Sequence, residues 1–159
     1  MNEPDRIRRA LETAETVAVV GCSPNPARAS HVIARYLLEQ GYGVIPVNPG
    51  HREILGRPCF GSLAQIPADV RVDIVDVFRR SDRVAPIAEE AISRRVPFFF
   101  MQEGVIDALS ARRLEERGIA VAMDRCILVE HQRLGIPPKS RNAGTARNVD
   151  PMSRNGTLS

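Results

Sequence analysis

The chain is constrained most by a short apolar run that breaks into a turn-rich loop and is followed at once by an amphipathic segment. The run, residues 17–20, is rich in valine, which is typical of a strand buried on both faces. Gly21 permits a tight turn, and Ser23 and Asn25 have side chains that often cap helix N-termini. Across residues 28–40 the apolar positions recur at helical spacing. The stretch therefore predicts a strand, a loop and a helix whose N-terminus is available to an anion such as phosphate.

Four further apolar runs along the chain predict strands, and helical patterns separate them. The predicted strands after the first are residues 44–47, 72–78, 97–101 and 119–123. The other predicted helices are residues 5–12, a helix that Ser81 caps, 105–117 and 127–134. This alternation predicts the α/β class, and specifically a Rossmann-like three-layer sandwich with a five-stranded parallel sheet. We expect the strand order 3-2-1-4-5.

Length and charge distribution indicate one domain followed by a tail. The chain has 159 residues, which suits a single domain with a sizeable core. The net charge of +3 comes from the C-terminal stretch, which is polar and has almost no large apolar groups. We therefore predict a folded domain over residues 1–136 and a disordered basic tail over residues 137–159. Because the body is neutral, we do not expect a nucleic-acid partner.

The cellular setting is predicted from the first residues and from the cysteines. The first ten residues are charged and lack the apolar region of a secretory signal. No apolar run approaches the ~20 residues that span a membrane. Cys22, Cys59 and Cys126 show no C-x-x-C spacing, which favours reduced thiols. We expect a cytoplasmic protein without a membrane partner, while a protein partner or a homo-oligomer stays open.

Ligands of parallel sheets bind beyond the carboxyl ends of the strands, so the residues that follow the predicted strands are candidates for a site. The first loop departs from the G-x-G-x-x-G dinucleotide fingerprint, because Ser23 and Pro26 stand where the second and third glycines belong. Asn48 stands where an NAD site commonly has an acidic residue. Both departures weigh against a nicotinamide-dependent enzyme. The same residues are compatible with the binding of a different nucleotide that carries phosphate.

Several short motifs together resemble one known family. VAVVGCSPNPAR, YGVIPVNPG and GRPCFGSL, followed by VDVFR, MQEG and MDRC, occur in the order and spacing of the small stand-alone coenzyme A-binding proteins. Those proteins are similar to the nucleotide-binding domain of the succinyl-CoA synthetase α-subunit and of ADP-forming acyl-CoA synthetases. The resemblance extends to about Leu134 and so covers nearly everything except the tail.

The resemblance implies that the ligand is coenzyme A (CoA) or an acyl-CoA. It implies that the loop from Gly21 to Pro24 cradles the phosphates and that Arg28 adds charge. The segment from Asn48 to His51 would approach the adenosine 3′-phosphate end, although the larger synthetases commonly carry lysine where this chain has His51. The residues after the fourth strand would line the pantetheine side, near Cys126. The expected cofactor-binding residues are Gly21, Cys22, Ser23, Pro24, Arg28, Asn48, Pro49, His51, Phe78, Arg79, Met101, Gln102, Glu103 and Cys126.

We expect binding without catalysis, and we predict neither catalytic residues nor a metal site. The synthetases carry a second domain with a phosphorylated histidine, and His31, His51 and His131 do not match it. The alternatives are an NAD(P)-binding oxidoreductase, a nucleotide-sensing regulatory protein, and an interaction protein whose basic tail docks on RNA or an acidic partner. Cys22, at a positive helix end, is expected to have a lowered pKa. Cys126 is the expected partner for a mixed disulfide with CoA.

Overall fold

The β-branched and aromatic runs of the sequence form the strands of a central parallel sheet. The computed structural model describes residues 1–140. The sheet consists of β1 (Thr16–Val20), β2 (Gly43–Val47), β5 (Ile74–Val77), β6 (Phe98–Met101) and β7 (Ala120–Met123). Two short strands, β3 (Glu53–Ile54) and β4 (Arg57–Pro58), pair with each other in a separate antiparallel ribbon. Every residue of the first four large strands is buried, as expected for a sheet covered on both faces.

Helices cover both faces of the sheet. They are α1 (Glu3–Thr13), α2 (Ala29–Glu39), α3 (Val84–Arg94), α4 (Ala108–Glu116) and α5 (Ile127–Arg133), with 3₁₀ turns at Leu63–Gln65 and Ser81–Arg83. The first, second and fifth helices enclose one apolar cluster, and the third and fourth helices enclose the other. The α/β class and the three-layer, five-stranded parallel arrangement are therefore confirmed. No helix within residues 1–140 has the length and apolar character needed to cross a membrane.

The predicted strand order is wrong at one strand. The observed order is β2-β1-β5-β6-β7, so the third large strand pairs with β1 rather than with β2. The outer edge of β2 is occupied by the segment after β4, because the Phe60 amide donates to the Pro46 carbonyl at 3.2 Å and Phe60 forms a parallel bridge with Val47. The loops that follow β1 and β5 consequently lie side by side.

Two predicted helix boundaries are also corrected. Ser81 does not cap α3, because its Oγ accepts a hydrogen bond from the Ile106 amide at 2.9 Å, and the helix begins three residues later at Val84. Pro86 then falls in the first turn, where a missing N–H costs little. Helix α4 begins at Ala108 rather than at residue 105, since Asp107 is the N-cap and its carboxylate accepts from Ser110.

The described chain stays packed slightly beyond the predicted end of the domain. The Lys139 amide donates to the Gln40 carbonyl at 2.8 Å, and its Nζ donates to the Glu12 carbonyl at 2.8 Å. The same ammonium group lies 4.9 Å from the centroid of the Tyr42 ring. The predicted disordered tail lies, from residue 141 onward, outside the described residues.

Candidate functional site

The loop after β1 approaches the end of β5 more closely than a side chain would allow. Gly21 has φ of +88°, in the left-handed region that favours glycine, and its amide donates to the Val47 carbonyl at 2.8 Å. A Cβ at this position would collide with the carbonyl oxygen of Phe78. Gly21 is therefore required by the packing of two backbones, whether or not a ligand is bound.

The side chains of Ser23 and Asn25 stabilise the loop itself instead of capping α2. Ser23 Oγ accepts from the Asn25 amide at 3.0 Å, and Asn25 Oδ1 accepts from the Ala27 amide at 2.9 Å. Ser30 Oγ accepts from the Ser23 amide at 2.9 Å. His31 Nδ1 lies 2.8 Å from the Ser23 carbonyl oxygen, which can only accept, so this nitrogen carries the proton. The predicted capping role is wrong, and the loop is fixed by four local hydrogen bonds.

The N-terminus of α2 is left open and carries a positive side chain. Its N-cap is Arg28, which makes no capping hydrogen bond, and the first turn has no acidic residue. An arginine here opposes the helix dipole, whereas an anion is stabilised by the same dipole and by the amides of Ala29 and Ser30. The next amide, that of His31, donates to the Arg28 carbonyl at 3.1 Å. A cleft of about 380 Å³, which we name the α2 cleft, opens at this point. It is lined by Gly21, Ser23, Arg28, Ala29, Ser30 and Phe78.

Asn48 ties the loop after β2 to the loop after β1. Its Nδ2 donates to the Cys22 carbonyl at 2.8 Å, and its own carbonyl accepts from Cys59 Sγ at 3.5 Å. The Cys22 side chain is fully buried, and burial, with a smaller effect of Cys59, raises the pKa of its thiol to about 12. The expectation of a lowered Cys22 pKa is therefore wrong, because desolvation outweighs the helix dipole. Only the backbone of Cys22 is available to a ligand.

A second and larger cleft opens where the loops after β2 and β5 face α3. It has a volume of about 730 Å³. We name it the arginine cleft, and it is lined by Pro49, Phe78, Arg79, Arg80, Arg83, Pro86 and Ile87. Phe78 belongs to both clefts, so they adjoin at the carboxyl edge of the sheet. Arg80 and Arg83 were not among the expected site residues, although the consecutive arginines after the third strand were a visible signal.

The residues after β6 contribute less side-chain surface than expected. Met101 is fully buried in the core on the α3 and α4 face. Gln102 is also buried, and its Oε1 lies 3.5 Å from the Ile127 amide at the start of α5. Glu103 is exposed, and Cys126 is half-buried. These residues line neither of the two clefts described above.

Three other expected residues, Pro24, Pro49 and His51, also follow β1 or β2, but they differ in whether they line a cleft. Pro24 and His51 are exposed. Neither residue lines the α2 cleft or the arginine cleft, whereas Pro49 lines the arginine cleft. The structure thus brings Gly21, Ser23 and Arg28 together around one cleft and joins it through Phe78 to the other.

A further cavity of about 490 Å³ lies at the opposite, amino edge of the sheet. Asp73 in its wall accepts hydrogen bonds from the Glu15 and Thr16 amides and from Arg71, so its carboxylate fixes the start of β1. The carboxyl edge is where parallel sheets bind ligands, and the open N-terminus of α2 and the four arginines of the two clefts lie together there. The two clefts at that edge form the candidate site.

The chain is similar in sequence and in fold to several known proteins. The chain is 39% identical over 133 residues to the uncharacterized protein YneT of Bacillus subtilis, in a match that covers 82% of the chain and 97% of YneT. A hypothetical protein from Pyrococcus horikoshii has a TM-score of 0.79 at 34% identity, covering 84% of this chain and 92% of that one. An ADP-forming acetate–CoA ligase of Archaeoglobus fulgidus is 30% identical over 124 residues, which is 71% of this chain but 18% of the ligase.

The model of one protein family also matches most of the chain. The model of the CoA binding domain matches residues 15–132, from the residue before β1 into α5. This span includes the whole sheet and both clefts at its carboxyl edge. Together with the near-complete coverage of YneT, it shows that the chain belongs to the family of CoA-binding domains.

Proposed function

We propose that the chain binds CoA or an acyl-CoA at the carboxyl edge of the sheet and performs no reaction on it. The observation that carries this proposal is the open N-terminus of α2, where Arg28 makes no ion pair with residues 1–140 and lies beside the amides of Ala29 and Ser30. Such an arrangement is stabilised by a phosphate group. Membership of the CoA-binding family and the name of the acetate–CoA ligase relative favour CoA among the ligands that carry phosphates.

The diphosphate fits the α2 cleft best. The Ser30 hydroxyl and the His31 ring already hold the loop through hydrogen bonds to Ser23, so the amides are arranged before a ligand arrives. This preorganisation lowers the entropy cost of binding. The pantetheine arm would then extend along the edge toward the loops after β6 and β7, near Cys126.

Binding without catalysis is supported by the state of the candidate nucleophiles and bases. The Cys22 thiol is buried and has a pKa of about 12, so it holds almost no thiolate near neutral pH. His31 Nδ1 is committed to the Ser23 carbonyl. We place the protein in the cytoplasm, where unpaired thiols such as Cys22 and Cys59 persist.

The proposal is tested by measuring ligand affinity with a matched pair of variants. Calorimetry of the full chain should show binding of CoA and acetyl-CoA and much weaker binding of NAD, NADP and ATP. Arg28→Glu should weaken CoA binding by about tenfold or more, because a charge-assisted contact is replaced by repulsion. Arg35→Glu makes the same charge change at an exposed position on the same helix and should leave the affinity unchanged. Equal effects of the two substitutions, or a preference for NAD, would contradict the proposal.

The proposed absence of catalysis is tested in a separate experiment. Acetyl-CoA incubated with the protein should release free CoA thiol no faster than acetyl-CoA in buffer, as followed with a thiol-reactive dye. A rate that increases in proportion to protein concentration would show that the chain is an enzyme after all.

A further inference from the structure

The cavity at the amino edge of the sheet, which we name the amino-edge cavity, takes no part in the proposed function. It lies between helix α1 and the first residues of two strands, Phe98 of β6 and Ala120 of β7. Its volume of about 490 Å³ is in the range of pockets that hold small organic molecules. A Cβ added at Gly118, which also lines the cavity, would meet no other part of the described chain within 4 Å, so the space beside this glycine is open.

One side of the amino-edge cavity is cationic. Arg6 and Arg9 lie three residues apart on α1, and both are exposed and line the cavity. Neither forms an ion pair with another residue within residues 1–140. Side chains at this helical spacing are neighbours, so the two guanidinium groups repel each other. An anion bound between them removes that repulsion and gains charge-assisted hydrogen bonds.

The carboxylate that lines the same cavity does not neutralise these two arginines. Asp73 Oδ2 accepts from the amides of Glu15 and Thr16 at 2.9 and 3.0 Å, and its Oδ1 accepts from Arg71 Nε at 2.6 Å. Both oxygens are therefore already engaged by donors of their own. Arg71 also lines the cavity, and its side chain is 80% exposed. The lining thus carries three guanidinium groups against one carboxylate, and that carboxylate is bound elsewhere.

The other side of the amino-edge cavity is apolar. It is supplied by Ala10, Ala14, Pro97, Phe98 and Ala120. A ligand that satisfies both sides combines one strong negative charge with a hydrocarbon body. A small inorganic anion would leave the apolar side in contact with water, and a neutral hydrocarbon would leave the arginines without a counter-charge.

We propose that the amino-edge cavity binds a carboxylate that carries a short hydrocarbon chain. Arg6 and Arg9 hold the carboxylate, whose planar geometry matches the guanidinium group, and the chain lies on the apolar side. The cavity shares no lining residue with the α2 cleft or the arginine cleft, and it lies at the opposite end of the strands. The inference is therefore independent of the proposed function, and the two sites can be occupied together.

Octanoate is the probe for this site, and two smaller changes of ligand separate its parts. Acetate keeps the charge without the chain, and octanol keeps the chain without the charge. In an NMR titration of the full chain at constant ionic strength, octanoate should shift the amide signals of Ala10, Gly118 and Ala120. It should bind at least about tenfold more tightly than acetate or octanol, because only octanoate uses both sides of the cavity.

A matched pair of double variants tests the arginines. In Arg6→Gln/Arg9→Gln, the affinity for octanoate should fall by about tenfold or more, because the counter-charges are lost. Arg8→Gln/Arg112→Gln removes the same charge from exposed positions that do not line the cavity and should leave the affinity unchanged. Circular dichroism checks that both variants are folded. The comparison of the three ligands needs no variant, so it decides the question if a variant does not fold.

Several results would overturn the inference. These are equal affinities for octanoate and octanol, equal losses in the two double variants, and octanoate binding that shows no saturation at about 10 mM. Shifts centred on Gly21 and Phe78, or displacement of octanoate by CoA, would assign it to the carboxyl edge and would also overturn the inference. Failure of CoA to bind, with octanoate bound as expected, would contradict the proposed function and leave this inference intact.

Discussion

At the scale of single residues, Asp76 is the most unusual side chain in the described structure. It lies in the middle of β5, is fully buried, and neither of its carboxyl oxygens accepts a hydrogen bond from residues 1–140. Its strand neighbours on either side are Val19 and Phe100. Burial in these apolar surroundings raises the pKa of the carboxyl group well above its usual range.

This burial predicts a pH-dependent gain in stability for the Asp76→Asn variant. The folded protein retains a proton that the unfolded chain releases near pH 4, so the free energy of unfolding of the unmodified protein falls as pH rises from about 4 through the folded-state pKa. The variant cannot titrate at this position. Its free energy of unfolding relative to the unmodified protein should rise by more than about 1 kcal/mol between about pH 4 and pH 7, as measured by urea denaturation. A difference that stays constant across this range would show that Asp76 ionises normally in the fold.

The three thiols should differ in reactivity because they differ in burial. Cys22 and Cys59 are buried, and desolvation raises the pKa of both thiols. Cys126 is half-buried. With iodoacetamide at about pH 8, we expect Cys126 to be alkylated first and Cys22 at least about 100-fold more slowly until the protein is unfolded. Peptide mass spectrometry of time points gives the order, and early labelling of Cys22 would contradict it.

Cys126 is also the thiol that we expect to exchange with CoA disulfide. Its thiolate would attack one sulfur, form a protein–CoA disulfide and release the other CoA as thiolate. Intact mass spectrometry should show one CoA adduct that is absent from Cys126→Ser and present in Cys59→Ser. An adduct that persists in Cys126→Ser would assign the exchange to another cysteine.

The sequence predicted correctly those residues whose role depends on the local backbone conformation. It did not predict properties, such as a pKa, that depend on how deeply a side chain is buried. Gly21 was predicted from its place in a tight turn, and the structure shows that turn. The expected pKa of the Cys22 thiol was based on its position a few residues before the start of a helix. Its actual pKa depends on the side chains packed around it, which only the fold determines.

At the scale of elements, the order of the strands is the instructive difference. The periodicity located all five large strands, but both orders use strands of the same length and right-handed crossovers, so periodicity cannot choose between them. Pro46 was the available signal. Proline lacks an N–H donor and is confined largely to edge strands. A strand that contains proline, such as β2, is therefore expected to pair with a large strand on one side only.

The segment around Lys139 predicts where the chain can be shortened. A chain that ends at residue 137 should be less stable than one that ends at residue 140 by about 1–2 kcal/mol, because it loses two hydrogen bonds and the contact with Tyr42. Both should bind CoA equally, since Gln40 and Gly41 lie at the C-terminal end of α2, opposite the candidate site. Thermal unfolding of the pair measures the difference. Lys139→Gln in the full chain keeps the backbone bond and should lose only part of that stability.

At the scale of the whole molecule, charge is concentrated where the ligand is expected. The net charge of +3 belongs to the C-terminal stretch, and the remaining body is neutral. Within that body, Arg28, Arg79, Arg80 and Arg83 gather at the clefts of the carboxyl edge. Such a concentration attracts an anion without giving the protein a strong overall field.

The affinity for CoA should therefore depend on salt. Raising sodium chloride from about 0.1 M to about 1 M shortens the Debye length from about 10 Å to about 3 Å. We expect CoA binding to weaken by about tenfold over this range because exposed arginines are screened. Uncharged pantetheine is the control and should show little change. A salt-independent affinity for CoA would mean that apolar contacts, not the arginines, hold the ligand.

The fold class and family were predictable because several weak motifs occur together at consistent spacing. The contact between Gly21 and Phe78, where the two clefts adjoin, was not predictable in the same way, since it joins the loops after β1 and β5 and the expected order separates those strands by β2. Once β5 lies beside β1, Phe78 meets Gly21 and the arginines after β5 face Pro49. An error in the position of one strand thus concealed the contact at which the two clefts of the candidate site adjoin.

The segment at Phe60 also decides how the sheet meets other molecules. By bridging to Val47 it closes one border of the sheet to strand addition, whereas β7 at the other border has no strand beyond it within residues 1–140. Unpaired strand borders are the usual templates for edge-to-edge aggregation. Within residues 1–140 the sheet is therefore protected against such pairing at the β2 border only, and at high protein concentration we expect self-association to begin at β7.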